Sequence, residues 1–184
     1  MRMTSTHIPG CFEIQADLHT DERGLFVKTV VREEFLKCGL ECDFVEQYYS
    51  ISWPGVIRGM HFQRPPHEHA KLVYCVLGCV IDAVVDLRIG SPTHGQTLTV
   101  ELSAAKGNMI YVPRGLAHGF CAREESVLVY NVSSAYAPQA DTGVLWNSAG
   151  IEWPVDQPIL SPRDQSFPPL PSFSSPFVFE AVQS

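Results

Sequence analysis

The chain has 184 residues, 45% of them hydrophobic and 18% charged, which suits one ordinary domain and excludes an intrinsically disordered chain. Thirteen Lys and Arg against twenty Asp and Glu leave a formal net charge of −7, so nucleic acid is disfavoured as a partner and any phosphate must be gripped by a few local cations. The longest apolar stretch, Lys71 to Leu87, is interrupted by Asp82 and Asp86, which predicts no membrane span, and Met1 to Gly10 lacks the apolar core of a secretory signal, which predicts a cytoplasmic protein.

Taken in chain order, the first clear element is a short helix near residues 32–38, where Arg32-Glu33-Glu34-Phe35-Leu36-Lys37 is amphipathic and Gly39 supplies a stop. Most of the remainder reads as strand and turn. Leu72–Leu77, Cys79–Leu87, Leu98–Leu102, Met109–Val112 and Val127–Val132 are short runs rich in β-branched residues, separated by Gly78, Gly90-Ser91-Pro92 and Pro113-Arg114-Gly115. Short strands at this spacing predict an all-β sandwich or barrel. In the second run Ile81, Ala83, Val85 and Leu87 share one face, and this all-apolar face is expected to point into the core. From Trp153 onward seven of the fourteen prolines accumulate, so 153–184 is expected to be an extended tail wrapping the barrel rather than a helix or central strand. No repeat or linker divides the chain, which reads as a single domain over 1–184. The six cysteines (Cys11, Cys38, Cys42, Cys75, Cys79, Cys121) are expected to be reduced core residues, since Cys75-x3-Cys79 has neither redox nor zinc-site spacing.

Two constellations carry chemistry. Gly107-x5-Pro113-x-Gly115-x2-His118 resembles the second motif of the cupins, which implies a double-stranded β-helix, a jelly roll whose mouth is a ligand cavity. His67-Glu68-His69 offers the HxH of a metal-binding cupin, but Val73 and Tyr74 stand where a carboxylate should follow. His67 and His69 are therefore read as solvated loop residues and the barrel as metal-free. In the second constellation, Arg58-Gly59-Met60-His61, a strand would turn Arg58 and His61 toward one cavity only if it bent at Gly59, which glycine permits.

Seven motifs occur in order: Asp21-x-Arg23-Gly24-x-Phe26, Arg58-Gly59-Met60-His61-Phe62-Gln63, Lys71-Leu72-Val73, Val85-Asp86-Leu87-Arg88-x2-Ser91-Pro92-Thr93, Gly115-x-Ala117-His118-Gly119-Phe120, Tyr136-x-Pro138 and Leu160-Ser161-x-Arg163-Asp164. Together, over roughly residues 8 to 170, they resemble the dTDP-4-dehydrorhamnose 3,5-epimerase family. The resemblance implies a metal-free, cofactor-free homodimer of deoxysugar biosynthesis acting on a nucleotide-linked 4-keto-6-deoxyhexose. The ketone acidifies C3 and C5, so inversion needs a base on one face of the ring, an acid on the other and a donor at the enolate oxygen. The resemblance implies His61 as base, Asp164 as its partner, Lys71 as the enolate-stabilising cation and Tyr130 as the acid. It also implies Gln47, Tyr49, Arg58, His118 and Tyr136 as substrate-binding residues, with Arg23 and Phe26 reaching in from the other subunit.

Three departures from the family pattern fall near the expected ligand. Tyr49 replaces a small amide in Gln47-Tyr48-Tyr49-Ser50, Lys28 stands where Glu is usual, and His69 stands where Gln is usual, two residues before the lysine. They leave open the nucleotide and whether one carbon or two is inverted. Two readings of other kinds stand beside the epimerase: a sugar-binding cupin without catalysis, and a metal-dependent cupin using His61, His67, His69 and His118.

Overall fold

The computed structural model describes residues 1–180; the last four residues of the proline-rich segment lie outside the described residues. The first half of the chain contributes β1 (Arg2–Ser5), β2 (Phe12–Gln15), β3 (Leu18–Asp21), β4 (Gly24–Val27), α1 (Arg32–Lys37), β5 (Glu46–Ser52), β6 (Ile57–Gln63), β7 (Lys71–Leu77) and β8 (Cys79–Asp86). The second half contributes β9 (Thr97–Ser103), β10 (Asn108–Val112), β11 (Leu116–Ala122), β12 (Ser126–Val132), β13 (Asp141–Gly143), the four-residue α2 (Pro162–Gln165) and a 3-10 turn at Leu170–Ser172. Two antiparallel sheets face one another, six strands in the order β1-β2-β10-β7-β12-β5 and five in the order β13-β6-β11-β8-β9, while β3 and β4 form a separate hairpin. This is the double-stranded β-helix expected from the cupin-like motif. Sharp reversals close it; at Gly78, between β7 and β8, φ is +76° and a Cβ would lie 2.2 Å from the Glu125 carbonyl oxygen, so glycine is required there.

Strand alternation sorts the apolar side chains into three layers. Between the sheets lie Val73, Ile110 and Leu128 from one and Val80, Val84, Leu102 and Phe120 from the other. Outside the six-stranded sheet, Leu72, Met109 and Tyr111 pack on Phe35 of α1 and Leu40. Outside the five-stranded sheet, Met60, Ala83, Val85 and Leu87 are covered by Val144, Ile151 and Phe177 from the last third of the chain.

The all-apolar face of β8 points into core, as expected, and that core is the third layer: Ala83, Val85 and Leu87 pack under the C-terminal segment, while the face carrying Val80, Asp82 and Val84 lines the space between the sheets. Asp82 is tolerated inside because His118 Nε2 lies 2.8 Å from its Oδ2. The cysteines divide as well. All are free; Cys11, Cys42, Cys75 and Cys121 are buried, Cys79 is half-buried, and Cys38 is exposed where the last turn of α1 meets solvent.

At the end of β8 the Asp86-Leu87-Arg88-x2-Ser91-Pro92-Thr93 motif folds into a buried lock. Asp86 accepts from Arg88 Nε and Nη2 at 2.8 Å each, from the Arg88 backbone N–H at 3.0 Å, and from Ser91 Oγ and Thr93 Oγ1 at 2.7 Å each. Arg88 also donates to the Pro9 carbonyl at 2.9 Å, fastening the N-terminal segment to the loop after β8.

Candidate active site

The polar end of the interior opens as a cavity of about 350 Å³. Arg58, His61 and Gln63 enter it from β6, Lys71 from β7, His118 from β11, Tyr130 from β12, and Glu46, Tyr48 and Ser50 from β5. Arg58 and His61 are an odd number of residues apart and would occupy opposite faces of a regular strand. They share the cavity because β6 is bulged: His118 pairs with His61 but Phe120 pairs with Arg58, so three steps on β6 oppose two on β11. Gly59 absorbs the extra residue at φ +151°, and a Cβ there would lie 2.7 Å from the Cα of Gly119.

Asp164 arrives from α2, 103 residues after His61, and its Oδ1 lies 2.8 Å from His61 Nε2. The turn is set locally: Ser161 Oγ caps the Asp164 backbone N–H at 3.0 Å and Pro162 occupies the first helical position. The other carboxylate oxygen accepts the Gly59 N–H at 3.2 Å, tying the carboxylate to the bulge. Burial pushes the Asp164 carboxyl upward, but His61, the Gly59 N–H and Ser161 outweigh it and hold the group below the usual carboxylate range. An ionised Asp164 accepts the Nε2 proton of a neutral His61, which leaves Nδ1 as the basic nitrogen.

Tyr130 stands on the opposite sheet. Its hydroxyl is 3.3 Å from Ser50 Oγ, and the Tyr48 ring stacks on it at 4.9 Å and 19°. Burial raises its pKa, with Ser50 partly offsetting, so the phenol keeps its proton. Lys71 is buried, with Nζ 3.3 Å from the His61 carbonyl oxygen, and burial pulls it down to about 8 against the carboxylates of Asp141 and Asp82. His118 meets the Tyr130 ring edge-on at 6.1 Å while Asp82 holds its Nε2. Burial lowers the His118 pKa against the pull of Asp82, and burial raises that of Asp82 against the pull of His118.

The structure therefore brings His61, Asp164, Lys71, Tyr130, Arg58 and His118 together, with Tyr136 exposed at the mouth, where its hydroxyl lies 3.4 Å from Asp141. Gln47 and Tyr49 are corrected. They lie on the opposite face of β5 from the cavity, Gln47 bonded to Asn131 Oδ1 at 2.7 Å and Tyr49 67% exposed, because the expected register is off by one residue and Glu46, Tyr48 and Ser50 face inward instead. His69 is corrected too: its loop tucks under the cavity and its ring lines it, whereas His67 meets Gln139 near the surface at 3.5 Å. Arg23 and Phe26 sit on the β3–β4 hairpin, both exposed, with Arg23 paired to Asp21 and neither reaching this cavity within the chain. Lys28, the residue after β4, is exposed.

Four residues that sequence reasoning did not assign complete the site. Asp82 fixes His118. Glu46 accepts the Tyr136 backbone N–H at 3.1 Å. Arg163 pairs with Asp141 at 2.6 Å, tying α2 to β13 at the cavity. Among these only Arg163 had a signal, its place beside Asp164 in the last motif. Among the described residues no group of three or more His, Cys, Asp or Glu side chains converges as a metal site would.

Known proteins place this geometry. The sequence pattern of the dTDP-4-dehydrorhamnose 3,5-epimerase family matches residues 5–172. The dTDP-4-dehydrorhamnose 3,5-epimerase of Mycolicibacterium smegmatis is 43% identical over 166 residues, covering 89% of this chain and 83% of that one. The dTDP-4-dehydrorhamnose 3-epimerase of Streptomyces niveus is 39% identical over 169 residues, covering 90% and 82%. Among solved structures, a dTDP-6-deoxy-D-glucose-3,5-epimerase of Legionella pneumophila, in complex with dTDP-4-keto-L-rhamnose, gives a TM-score of 0.92 at 30% identity, covering 97% of this chain and 99% of that chain. On sequence over most of its length and on fold, the chain belongs to the dTDP-4-dehydrorhamnose 3,5-epimerase family.

Proposed function

We propose that this chain is an isomerase that inverts C3 and C5 of a dTDP-4-keto-6-deoxyhexose in deoxysugar biosynthesis, with His61 as base, Asp164 as its partner, Lys71 at the enolate oxygen and Tyr130 as the opposing acid. One observation carries the assignment of roles. His61 with its carboxylate stands on the five-stranded sheet and Tyr130 on the six-stranded sheet, so a hexose lying between the sheets presents one face to each. His61 Nδ1 takes the carbon-bound proton, the electron pair moves onto the C4 oxygen, and the Lys71 ammonium stabilises that charge. Tyr130 then delivers a proton to the same carbon from the other face. The sequence requires no redox cofactor, because the 4-keto group supplies the acidity. Arg58, whose guanidinium is braced by Ser52 Oγ at 3.0 Å and the Ile51 carbonyl at 3.1 Å, takes the diphosphate at the mouth, with His118 and Tyr136 beside the ligand.

Residues 1–184 act as one epimerase domain, in the cytoplasm, with the segment after Trp153 as the strap that supplies Asp164. The working unit is a homodimer. β5 is an unpaired sheet edge, and its outward Tyr49 and Ile51, with Val76 and Leu77 of β7, are half or more exposed apolar side chains. Arg23 and Phe26, unused by their own cavity, then reach the other chain's. Sedimentation velocity should find two chains per particle, and a monomer at assay concentration would end this part of the reading.

The chemistry is tested by proton exchange in D2O with a dTDP-4-keto-6-deoxyhexose. Deuterium should enter at both C3 and C5, and the rate should fall as pH rises through about 8, where Lys71 loses its charge. Tyr130→Phe should retain exchange at one carbon at least while inversion falls. Exchange at C3 alone would establish the 3-epimerase variant of the reaction, and nucleotide binding with no exchange at either carbon would establish a sugar-binding cupin.

A further inference from the structure

Tyr130 and Tyr48 stand directly opposite one another in the β12–β5 ladder, so both side chains leave the sheet on the same face. Their rings stack, with centroids 4.9 Å apart and planes 19° apart, and both line the cavity. Two more groups confine Tyr130. Ser50, diagonal to it in the same ladder, has its Oγ 3.3 Å from the phenol oxygen. The His118 ring, itself fixed 2.8 Å from Asp82, meets the Tyr130 ring at 6.1 Å and 79°. Tyr130 is in consequence 7% exposed, whereas Tyr48, which covers its ring, is 44% exposed at the cavity.

C3 and C5 flank the ketone carbon on either side, and one phenol opposes His61 for both. A single acid can serve two carbons either by swinging between them or by staying still while the sugar turns. The stack resists the first course, because a swing of the phenol slides its ring off Tyr48 and carries its oxygen away from Ser50. We infer that Tyr48 is a positioning residue that makes Tyr130 a fixed point, so that the hexose moves past the acid and the two carbons are inverted one after the other. The inference rests on the epimerase reading and deepens it. The carbon that faces Tyr130 in the first bound pose leads, the other lags, and the lag measures how firmly Tyr48 holds the acid.

The decisive measurement is a ratio rather than a rate. With a dTDP-4-keto-6-deoxyhexose in D2O, proton NMR of the sugar follows deuterium fixed with inversion at C3 and at C5. In the parent one carbon should lead. In Tyr48→Leu the lagging carbon should gain on the leading one by about tenfold, the fold-change equivalent of an aromatic pair. Tyr48→Phe, which keeps the stack and drops the hydroxyl, should retain the parent's ratio. Ser50→Ala, which frees the phenol oxygen and leaves the stack in place, should shift the ratio in the same direction as Tyr48→Leu. A purely structural role for Tyr48 would lower inversion at both carbons together and leave the ratio where it was. Equal rates at the two carbons in the parent, an unchanged ratio in Tyr48→Leu, or a shift in Tyr48→Phe as large as that in Tyr48→Leu overturns the inference while leaving the epimerase intact. Absence of exchange in the parent overturns the epimerase reading instead.

Discussion

Replacing His61 with asparagine is expected to lower turnover by roughly 10²–10⁴-fold, the range of a lost general base, and to leave folding and dTDP affinity near those of the parent. The side chain borders an open cavity and no core cluster depends on it. Asp164→Asn should be nearly as severe, for a geometric reason. The carboxylate accepts two hydrogen bonds, from His61 Nε2 and from the Gly59 N–H. An amide has a single accepting oxygen. If that oxygen stays with Gly59, the NH2 faces His61, forces Nε2 to accept, and moves the imidazole hydrogen onto Nδ1, where the base must be empty. Steady-state kinetics with exchange in D2O checks both variants. Turnover within a few-fold of the parent in His61→Asn would remove His61 as the base.

Asp86→Ala is expected to produce the largest loss of stability of any single change outside the apolar layers. It removes the acceptor for Arg88, Ser91 and Thr93 at once and strands a guanidinium whose residue is 8% exposed. Breaking a buried pair from one side costs about 3–5 kcal/mol, which for a chain of this size lowers Tm by on the order of 10 °C. The effect has a pH signature. Burial raises the Asp86 pKa, but the bonds from Arg88, Ser91 and Thr93 outweigh it and hold it below its ordinary value. Its contribution is therefore complete above the unfolded-chain value of about 3.9 and is lost as pH falls through the lower folded one. Urea melts of parent and variant should differ by the full amount at pH 7 and converge in acid. A variant as stable as the parent but inactive would move Asp86 from the framework to the site.

The distinction between these two residues was not legible in the sequence, where both stand in motifs of equal prominence. What was legible was periodic. β7, β8, β9, β10 and β12 carry β-branched runs bounded by turn residues, and the bend needed at Gly59 follows from the odd spacing of Arg58 and His61. The failures have physical causes. In Gln47-Tyr48-Tyr49-Ser50 polar and aromatic residues occupy both faces, so no contrast in polarity sets the register, and a shift of one residue exchanged the cavity side for the outside. In β8 both faces are buried, so its pattern shows that the strand is central but not which of the two layers each face meets. Asp82 and Asp141 act through partners 36 residues away in His118 and 22 in Arg163, which pairwise spacing along a chain does not reveal.

The layer over the five-stranded sheet separates the integrity of the barrel from the integrity of the site. Ile159 and Val178 make isolated bridges to Val56 and Ile89, and between them the segment carrying Asp164 is held by scattered bonds such as Leu145 N–H to the Pro168 carbonyl and the Arg163–Asp141 pair, whereas the barrel strands have continuous ladders. Such a segment opens at a lower free energy than the barrel unfolds. Each opening lifts Phe177 from the outer layer and withdraws the carboxylate from His61 in the same event. Competence for proton transfer is thus a population, the closed fraction of a sub-global equilibrium. In rising denaturant turnover should vanish while the β-sheet signal is still intact, and the gap between the two midpoints measures how firmly the chain keeps its own catalyst in place.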